Sequence, residues 1–177
     1  GQYIYSSEKN MYIAINKEKY ETESELVSST VQILKFALKD ARFKFVEQTN
    51  LDGSVNNQFS MDENGKYFRI ATTVGKGWNI DENTSNNLYV LDEQLNEVGK
   101  ITGFAKEEKI YSVRYVKDKA YIVTFKQTDP LFVIDLSNPS QPQITGELKL
   151  PGYSTYLHPY DETHIIGFGY ETKENGR

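Results

Sequence analysis

Short runs of alternating apolar and polar residues, separated by turn residues, follow one another along almost the whole 177-residue chain. Residues 11–16 read MYIAIN and residues 32–38 read QILKFAL, with the period of two that a half-buried strand shows. Between two such runs stands Asn64-Gly65, which predicts a hairpin because both residues tolerate positive φ. Turns recur about every 10 residues, so the pattern favours an all-β sandwich, barrel or propeller.

The predicted strands fall into four successive groups, and one stretch of the chain fits none of them. The groups are 2–6, 11–16, 32–38 and 42–49; then 57–61, 67–73, 88–92 and 97–102; then 110–116, 120–126, 131–136 and 143–148; and finally 153–157 and 164–170. Residues 17–31 are polar and lack a clear period. A short helix is one interpretation of that stretch, and an excursion loop between strands is the favoured one.

An internal repeat favours the propeller among these architectures. NLYVLDEQLNEVGKITG (87–103) aligns with PLFVIDLSNPSQPQITG (130–146), so that Asp92 falls on Asp135, 43 residues later. A period of about 40 to 50 residues carrying four short strands is typical of a propeller blade. Each of the two aspartates ends a strand, and we expect each to accept backbone N–H groups of the following turn.

The chain is therefore predicted to be one partial β-propeller domain over residues 1–177. Its blades are expected at 2–49, 57–102 and 110–148, with a half blade at 153–170. These make about three and a half four-stranded antiparallel blades, whereas propellers close with about 4 to 8. We expect an arc of a larger propeller whose uncovered end blades and open edge promote self-association.

The stretch YSVRYVKDKAYIVTFKQTDPLFVIDLSNPSQP (111–142) carries a resemblance to a known family. Residues 55–170 strongly, and the first 50 residues weakly, resemble bacterial secreted proteins with a C-terminal β-propeller domain distantly akin to WD40 repeats. The resemblance implies an exported or surface-anchored protein, located outside the cell or at its surface. It supplies no catalytic residues.

Composition removes several classes of function. The net charge of −5, without any run of Lys or Arg, argues against nucleic acid as a partner. The chain has no cysteine, which excludes disulfides, thiol catalysis and cysteine-ligated metals. No apolar run approaches the roughly 20 residues that span a bilayer, so we expect no direct membrane span in this segment. We also expect no cofactor.

Two polar stretches have metal-binding interpretations beside plainer ones. Both histidines, His158 and His164, lie in LHPYDETH, where Asp161 or Glu162 would be further ligands. A structural role is favoured because the histidines flank a turn and belong to successive strands. The stretch DENG (62–65) is oxygen-rich, but it lacks the spacing of a calcium loop and is read as a turn.

Four residues are candidate binding residues: Trp78, Arg114, Tyr156 and His158. The single tryptophan, Trp78, lies in the polar loop GKGWN (75–79) and is either a contact anchor or a plug between two blades. The other three are assigned to the ends of predicted inner strands, at the mouth of the expected central channel.

Two functional classes remain. The first is a non-catalytic extracellular interaction or scaffold module that holds a protein, a peptide or a cell-wall glycan. The alternative is an enzyme, a glycan- or peptide-directed hydrolase or lyase, whose channel-mouth site is completed by further blades. The predicted inner strands carry one arginine and no carboxylate, which favours binding.

Overall fold

The structure is a computed structural model that describes residues 1–22, 25–75, 80–125, 129–150, 153–161 and 164–170. Over these residues the predicted all-β architecture is confirmed. The strands are β1 (Gln2–Ser6), β2 (Asn10–Thr22), β3 (Glu25–Lys39), β4 (Arg42–Asp52), β5 (Met61–Asn64), β6 (Tyr67–Val74), β7 (Ser85–Leu91), β8 (Glu97–Phe104), β9 (Lys109–Val116), β10 (Lys119–Phe125), β11 (Asp129–Asp135), β12 (Gln143–Leu150), β13 (Tyr153–Pro159) and β14 (Ile165–Tyr170).

The strands form separate antiparallel sheets in which strands that follow one another in sequence are neighbours. Strands β1 to β4, β5 to β8 and β9 to β12 form three four-stranded meanders, and β13 pairs with β14. We number these sheets as blades 1 to 3 and half blade 4. The first strands of successive blades approach one another, since β13 contacts β9 and β9 contacts the segment that precedes β5. This is the order expected of blades around a common axis.

The stretch 17–31 is neither a helix nor an excursion loop, in contrast to the prediction. It belongs to a long hairpin in which β2 and β3 remain paired as far as Thr22 and Glu25. On β2, Lys17, Glu18 and Tyr20 are exposed, whereas on β3 Ser29 and Val31 are buried. A strand segment without a buried face needs no alternation of apolar and polar residues. For this reason the sequence pattern does not predict the part of β2 that follows Asn16.

The first strand of blade 2 also differs from its predicted position at 57–61. Gln58–Ser60 forms a single 3₁₀ turn, and the strand begins only at Met61. The side chain of Asn57 caps this turn by accepting a hydrogen bond from the backbone N–H of Phe59 at 2.9 Å. Of the following hairpin residues only Gly65 has positive φ (61°), in the first loop position, as in a type II′ turn.

Two apolar cores lie between the blades. Tyr12, Ile33, Phe68 and Ile70 are among the buried residues that join blade 1 to blade 2. Another cluster, which includes Val90, Val113, Ile122 and Ile134, joins blade 2 to blade 3. Each blade therefore buries one face against its neighbour, which is the packing that a period-two pattern requires.

The proline-containing loop 136–142 is a joint between blades. A Cβ atom added to Gly99, on the outer strand of blade 2, would stand 2.3 Å from the carbonyl oxygen of Pro139. This close approach explains the glycine, because any side chain would displace the loop. Within the loop, the Asn138 side chain accepts hydrogen bonds from Ser140 N and Oγ at 3.2 and 2.8 Å.

Candidate binding site at the first strands of the blades

The 3₁₀ turn before β5 is fixed against the first strand of blade 3. The hydroxyl of Tyr115 donates to the carbonyl oxygen of Ser60 at 3.0 Å, and Asn56 Nδ2 donates to the carbonyl oxygen of Tyr111 at 2.8 Å. Burial raises the pKa of Tyr115, so its phenol remains a neutral donor. These contacts hold Phe59, whose side chain remains 43% exposed, at the edge of the turn.

Arg114 lies in the corner between two aromatic rings that belong to different blades. Its Cζ atom is 3.6 Å from the ring centroid of Phe59 and 4.4 Å from that of Tyr156. The two rings meet edge to face, with centroids 6.4 Å apart. Guanidinium groups at such distances are attracted by the ring quadrupoles. Residues from blade 2, blade 3 and half blade 4 thus meet at one guanidinium.

The half blade supplies a second aromatic layer to this cluster. Tyr156 and His158 are both exposed and share one face of β13, and the hydroxyl of Tyr156 lies 3.4 Å from His158 Nδ1. Phe168 stands opposite Tyr156 on β14, with ring centroids 6.0 Å apart. We refer to Phe59, Arg114, Tyr156, His158 and Phe168 as the aromatic–arginine cluster.

Arg114 has unused hydrogen-bonding capacity although its side chain is almost buried. The residue is 8% exposed, and its Nη1 donates to the carbonyl oxygen of Val113 at 2.9 Å. No carboxylate in the described part of the chain forms an ion pair with it. The N–H groups on Nε and Nη2 bond no described residue and are not sealed from water. A guanidinium with free donors at a partly open aromatic corner is suited to binding an anion.

The structure brings three of the four predicted site residues together. Arg114, Tyr156 and His158 form one cluster, whereas Trp78 lies outside the described residues. The sequence pattern does not single out Phe59, because it predicts a strand over residues 57–61. The available signal was Asn57, a favoured cap residue directly before the turn.

The premise that the first strands of the blades carry no carboxylate is wrong. The actual first strand of blade 2 contains Asp62 and Glu63. Asp62 forms an ion pair with the buried Arg69, and burial raises the pKa of Asp62 more than that arginine lowers it. Glu63 accepts hydrogen bonds from side chains of blade 1, among them Ser7 Oγ at 2.7 Å. Both carboxylates are therefore engaged in contacts within the fold.

The two histidines have separate surroundings. His164 Nδ1 lies 2.8 Å from Asp161 Oδ2, and Asp161 Oδ1 accepts the backbone N–H of His164 at 2.8 Å. His158 lies beside Tyr156 in the aromatic–arginine cluster. No group of three or more His, Cys, Asp or Glu side chains in the described ranges is arranged to hold a metal ion.

Comparisons with known proteins agree with this architecture. A family model described as a beta propeller domain matches residues 1–177. Among curated proteins, one from Methanocaldococcus jannaschii is 54% identical over 124 residues, which cover 70% of this chain and 20% of that protein. Another, from Archaeoglobus fulgidus, is 51% identical over 139 residues, covering 78% of this chain and 21% of that protein. Both are described as uncharacterized proteins.

The chain spans about a fifth of the length of these curated relatives. Both relatives are archaeal, so they give no support to the bacterial source that the sequence resemblance implied. Among the helical segments of the described residues, none is long and apolar enough to cross a membrane.

Proposed function

Since this chain belongs to the beta propeller domain family, we propose that it is a non-catalytic interaction module of a larger protein. The observation that carries this proposal is the aromatic–arginine cluster, in which side chains of three blades meet around Arg114 at a partly exposed surface. Tyrosine and arginine are enriched among the residues that dominate binding energies.

The chemistry of the cluster favours binding over catalysis. General acid–base catalysis commonly uses a histidine or carboxylate whose orientation is fixed by a further group such as a carboxylate. In the cluster the exposed His158 contacts Tyr156 and no described carboxylate. Asp62 and Glu63 are engaged with Arg69 and with blade 1. What the cluster offers is an oriented cation, exposed ring faces and one imidazole, which together make a recognition surface.

We expect the module to act outside the cell or at its surface. This part of the proposal is supported by the sequence resemblance to secreted propeller proteins alone. Protease treatment of intact archaeal cells that produce the full-length protein tests it. Degradation of the protein before cell lysis is the expected result, and full protection would contradict the location without affecting the binding site.

A peptide selection tests the binding role. The full-length gene product is immobilised and used to select from a random heptapeptide library displayed on phage. We expect enriched peptides whose affinity falls at least about tenfold in Tyr156→Ala, because the substitution removes a central ring of the cluster. The matched control is Tyr160→Ala, since Tyr160 is 72% exposed and lies outside the cluster.

Two outcomes would contradict the proposal. One is a selection that enriches no peptide above the unselected library. The other is enrichment of peptides that bind both tyrosine variants equally well. A defined catalytic turnover that depends on the cluster would replace the binding role with the enzymatic alternative.

A further inference from the structure

The cluster carries a specific indication of what its ligand contains. One edge of the Arg114 guanidinium is occupied by Val113, while the N–H groups on Nε and Nη2 have no acceptor among the described residues. Contact with Phe59 and Tyr156 holds the guanidinium plane in place. A planar fork of donors, oriented in advance, matches the two oxygens of a carboxylate.

The protein surroundings would strengthen such an ion pair. Arg114 is over nine-tenths buried, so an anion at this position is less well screened than at an open surface. The rings of Phe59 and Tyr156 lose little conformational entropy when a ligand binds, because they are already packed against one another with centroids 6.4 Å apart.

A carboxylate fits better here than a phosphate. Phosphate sites generally combine several donors, such as a helix N-terminus, a nest of backbone N–H groups or more than one cation. The cluster contributes one guanidinium, which carries a single positive charge. A single negative charge spread over two oxygens is matched by one arginine.

The apolar walls favour a peptide over a glycan. Phe59 is 43% exposed and Tyr156 is 40% exposed, and their rings meet edge to face beside Arg114. These surfaces would be covered by the aliphatic or aromatic residues of a peptide. An acidic glycan would place several hydroxyl groups against them without hydrogen-bond partners, which is unfavourable.

The geometry points to a binding site for an acidic peptide segment, in which a Glu or Asp carboxylate pairs with Arg114 while a neighbouring apolar residue packs on Phe59 and Tyr156. This inference rests on the binding role proposed above and adds the chemical class of the ligand. The site lies where blade 2, blade 3 and half blade 4 meet.

The same selection with the full-length gene product tests the inference. We expect enriched heptapeptides to contain Glu or Asp next to an aromatic or aliphatic residue. Synthetic copies in which that acid is replaced by its amide should bind at least about tenfold more weakly, because a charge-assisted pair is lost. Arg114→Gln should remove the preference for the acid, and Arg114→Lys should retain only part of it.

Matched controls separate loss of the site from loss of the fold. Lys100→Gln removes one positive charge from an exposed position on β8 that pairs with Glu97, so it should leave peptide affinity unchanged. Thermal unfolding checks each variant. If Arg114→Gln does not fold, the unaltered protein still provides the test, because its affinity for the acidic peptide should fall as the peptide carboxylate is protonated below about pH 4.

Each remaining outcome counts against one proposal or both. Enriched peptides without acidic residues that still depend on Tyr156 would overturn the carboxylate preference and leave the binding role standing. Displacement of the peptide by tetragalacturonate at a lower concentration would replace the peptide with an acidic glycan. Failure to enrich any peptide above the unselected library would overturn both proposals.

Discussion

The hydroxyl of Tyr12 donates a hydrogen bond to the carboxylate of Glu63 and thereby ties blade 1 to blade 2. The same carboxylate accepts hydrogen bonds from Ser7 Oγ at 2.7 Å and Asn10 Nδ2 at 2.8 Å. The ring of Tyr12 stacks on Phe68 with centroids 4.0 Å apart. Burial, reinforced by the hydrogen bond to Glu63, raises the pKa of Tyr12, so its phenol remains a donor at neutral pH. One carboxylate with three donors thus joins the two blades.

Removal of this carboxylate should weaken the joint between the blades. We expect Glu63→Ala to lower the free energy of unfolding by about 3 kcal/mol, because three side-chain donors lose a charged acceptor. The measurement is urea-induced unfolding followed by tyrosine fluorescence. Glu147→Ala is the control, since Glu147 is exposed on the outer strand β12 and should change stability by less than about 0.5 kcal/mol. Equal effects of the two substitutions would contradict the role of Glu63.

Gly99 provides a test of the joint between blades 2 and 3. An alanine Cβ there would stand 2.3 Å from the carbonyl oxygen of Pro139, whereas at Gly146 the nearest atom, in the Val133 side chain, would be 3.8 Å away. We expect Gly99→Ala to destabilise the protein by about 1–3 kcal/mol through overpacking. Gly146→Ala should be neutral or slightly stabilising, since alanine reduces the entropy of the unfolded chain. Thermal unfolding of both variants measures the two effects. A Gly99→Ala variant as stable as the unaltered protein would show that the loop 136–142 can move away freely.

Local periodicity and the repeat made most of the fold predictable. The equivalence of Asp92 and Asp135 correctly identified two turns in which an aspartate accepts backbone N–H groups, from Gln94 and from Ser137, at 2.9 and 2.8 Å. The extension of β2 beyond Asn16 is not predicted by the sequence, because Lys17, Glu18 and Tyr20 are exposed and show no alternation. Alternation of apolar and polar residues predicts a strand only where one face of that strand is buried.

The candidate site was predictable only in part, for a physical reason. Arg114 and Tyr156 were found because each lies on the first strand of a blade, a position that the repeat fixes. Phe59 was missed because its turn depends on Tyr115, which is distant in sequence and donates to Ser60. Contacts between blades that decide local conformation leave no local pattern in the sequence.

The two equivalent aspartates predict a pH dependence of stability. Hydrogen bonds from Ser137 lower the pKa of Asp135. At Asp92, burial alone would raise the pKa, but hydrogen bonds from Asn96 and Gln94 together outweigh it and the pKa is lowered. A carboxyl whose folded pKa is depressed stabilises the fold above its unfolded pKa, and this contribution is lost as the pH falls through the folded value.

We therefore expect Asp135→Asn to be less stable than the unaltered protein at pH 7. The difference should disappear as the pH falls through the folded pKa of Asp135, because the carboxyl group is then protonated in both the folded and the unfolded state. Asparagine keeps an acceptor oxygen, so the comparison isolates the charge. The difference at pH 7 should not exceed about 1 kcal/mol, because the group is largely screened by solvent. Urea unfolding between pH 2 and pH 7 measures it, with Glu147→Gln as the control. A difference that does not vary with pH would contradict the assignment.

Blade 1 exposes an apolar face on the side away from blade 2. Phe36 and Phe45 stand opposite each other on this face, and their rings are 5.7 Å apart. Leu38 and Phe43 form the next pair along it, and Phe43 is 58% exposed. The opposite end of the arc, at half blade 4, exposes Phe168. Apolar sheet faces of this kind are normally covered by a further layer.

We expect residues 1–177, produced alone, to self-associate, with the exposed face of blade 1 covered by a second copy. Burial of apolar surface drives the association, and by mass action the associated fraction increases with protein concentration. Sedimentation velocity between about 1 and 200 µM should show a rising weight-average mass. Phe45→Lys should shift this association to at least about tenfold higher concentration, because it places a charge at the centre of the apolar face. Tyr160→Lys changes an exposed aromatic residue outside that face, so it should leave the association unchanged. A monomer over the whole range would show that the face needs no cover.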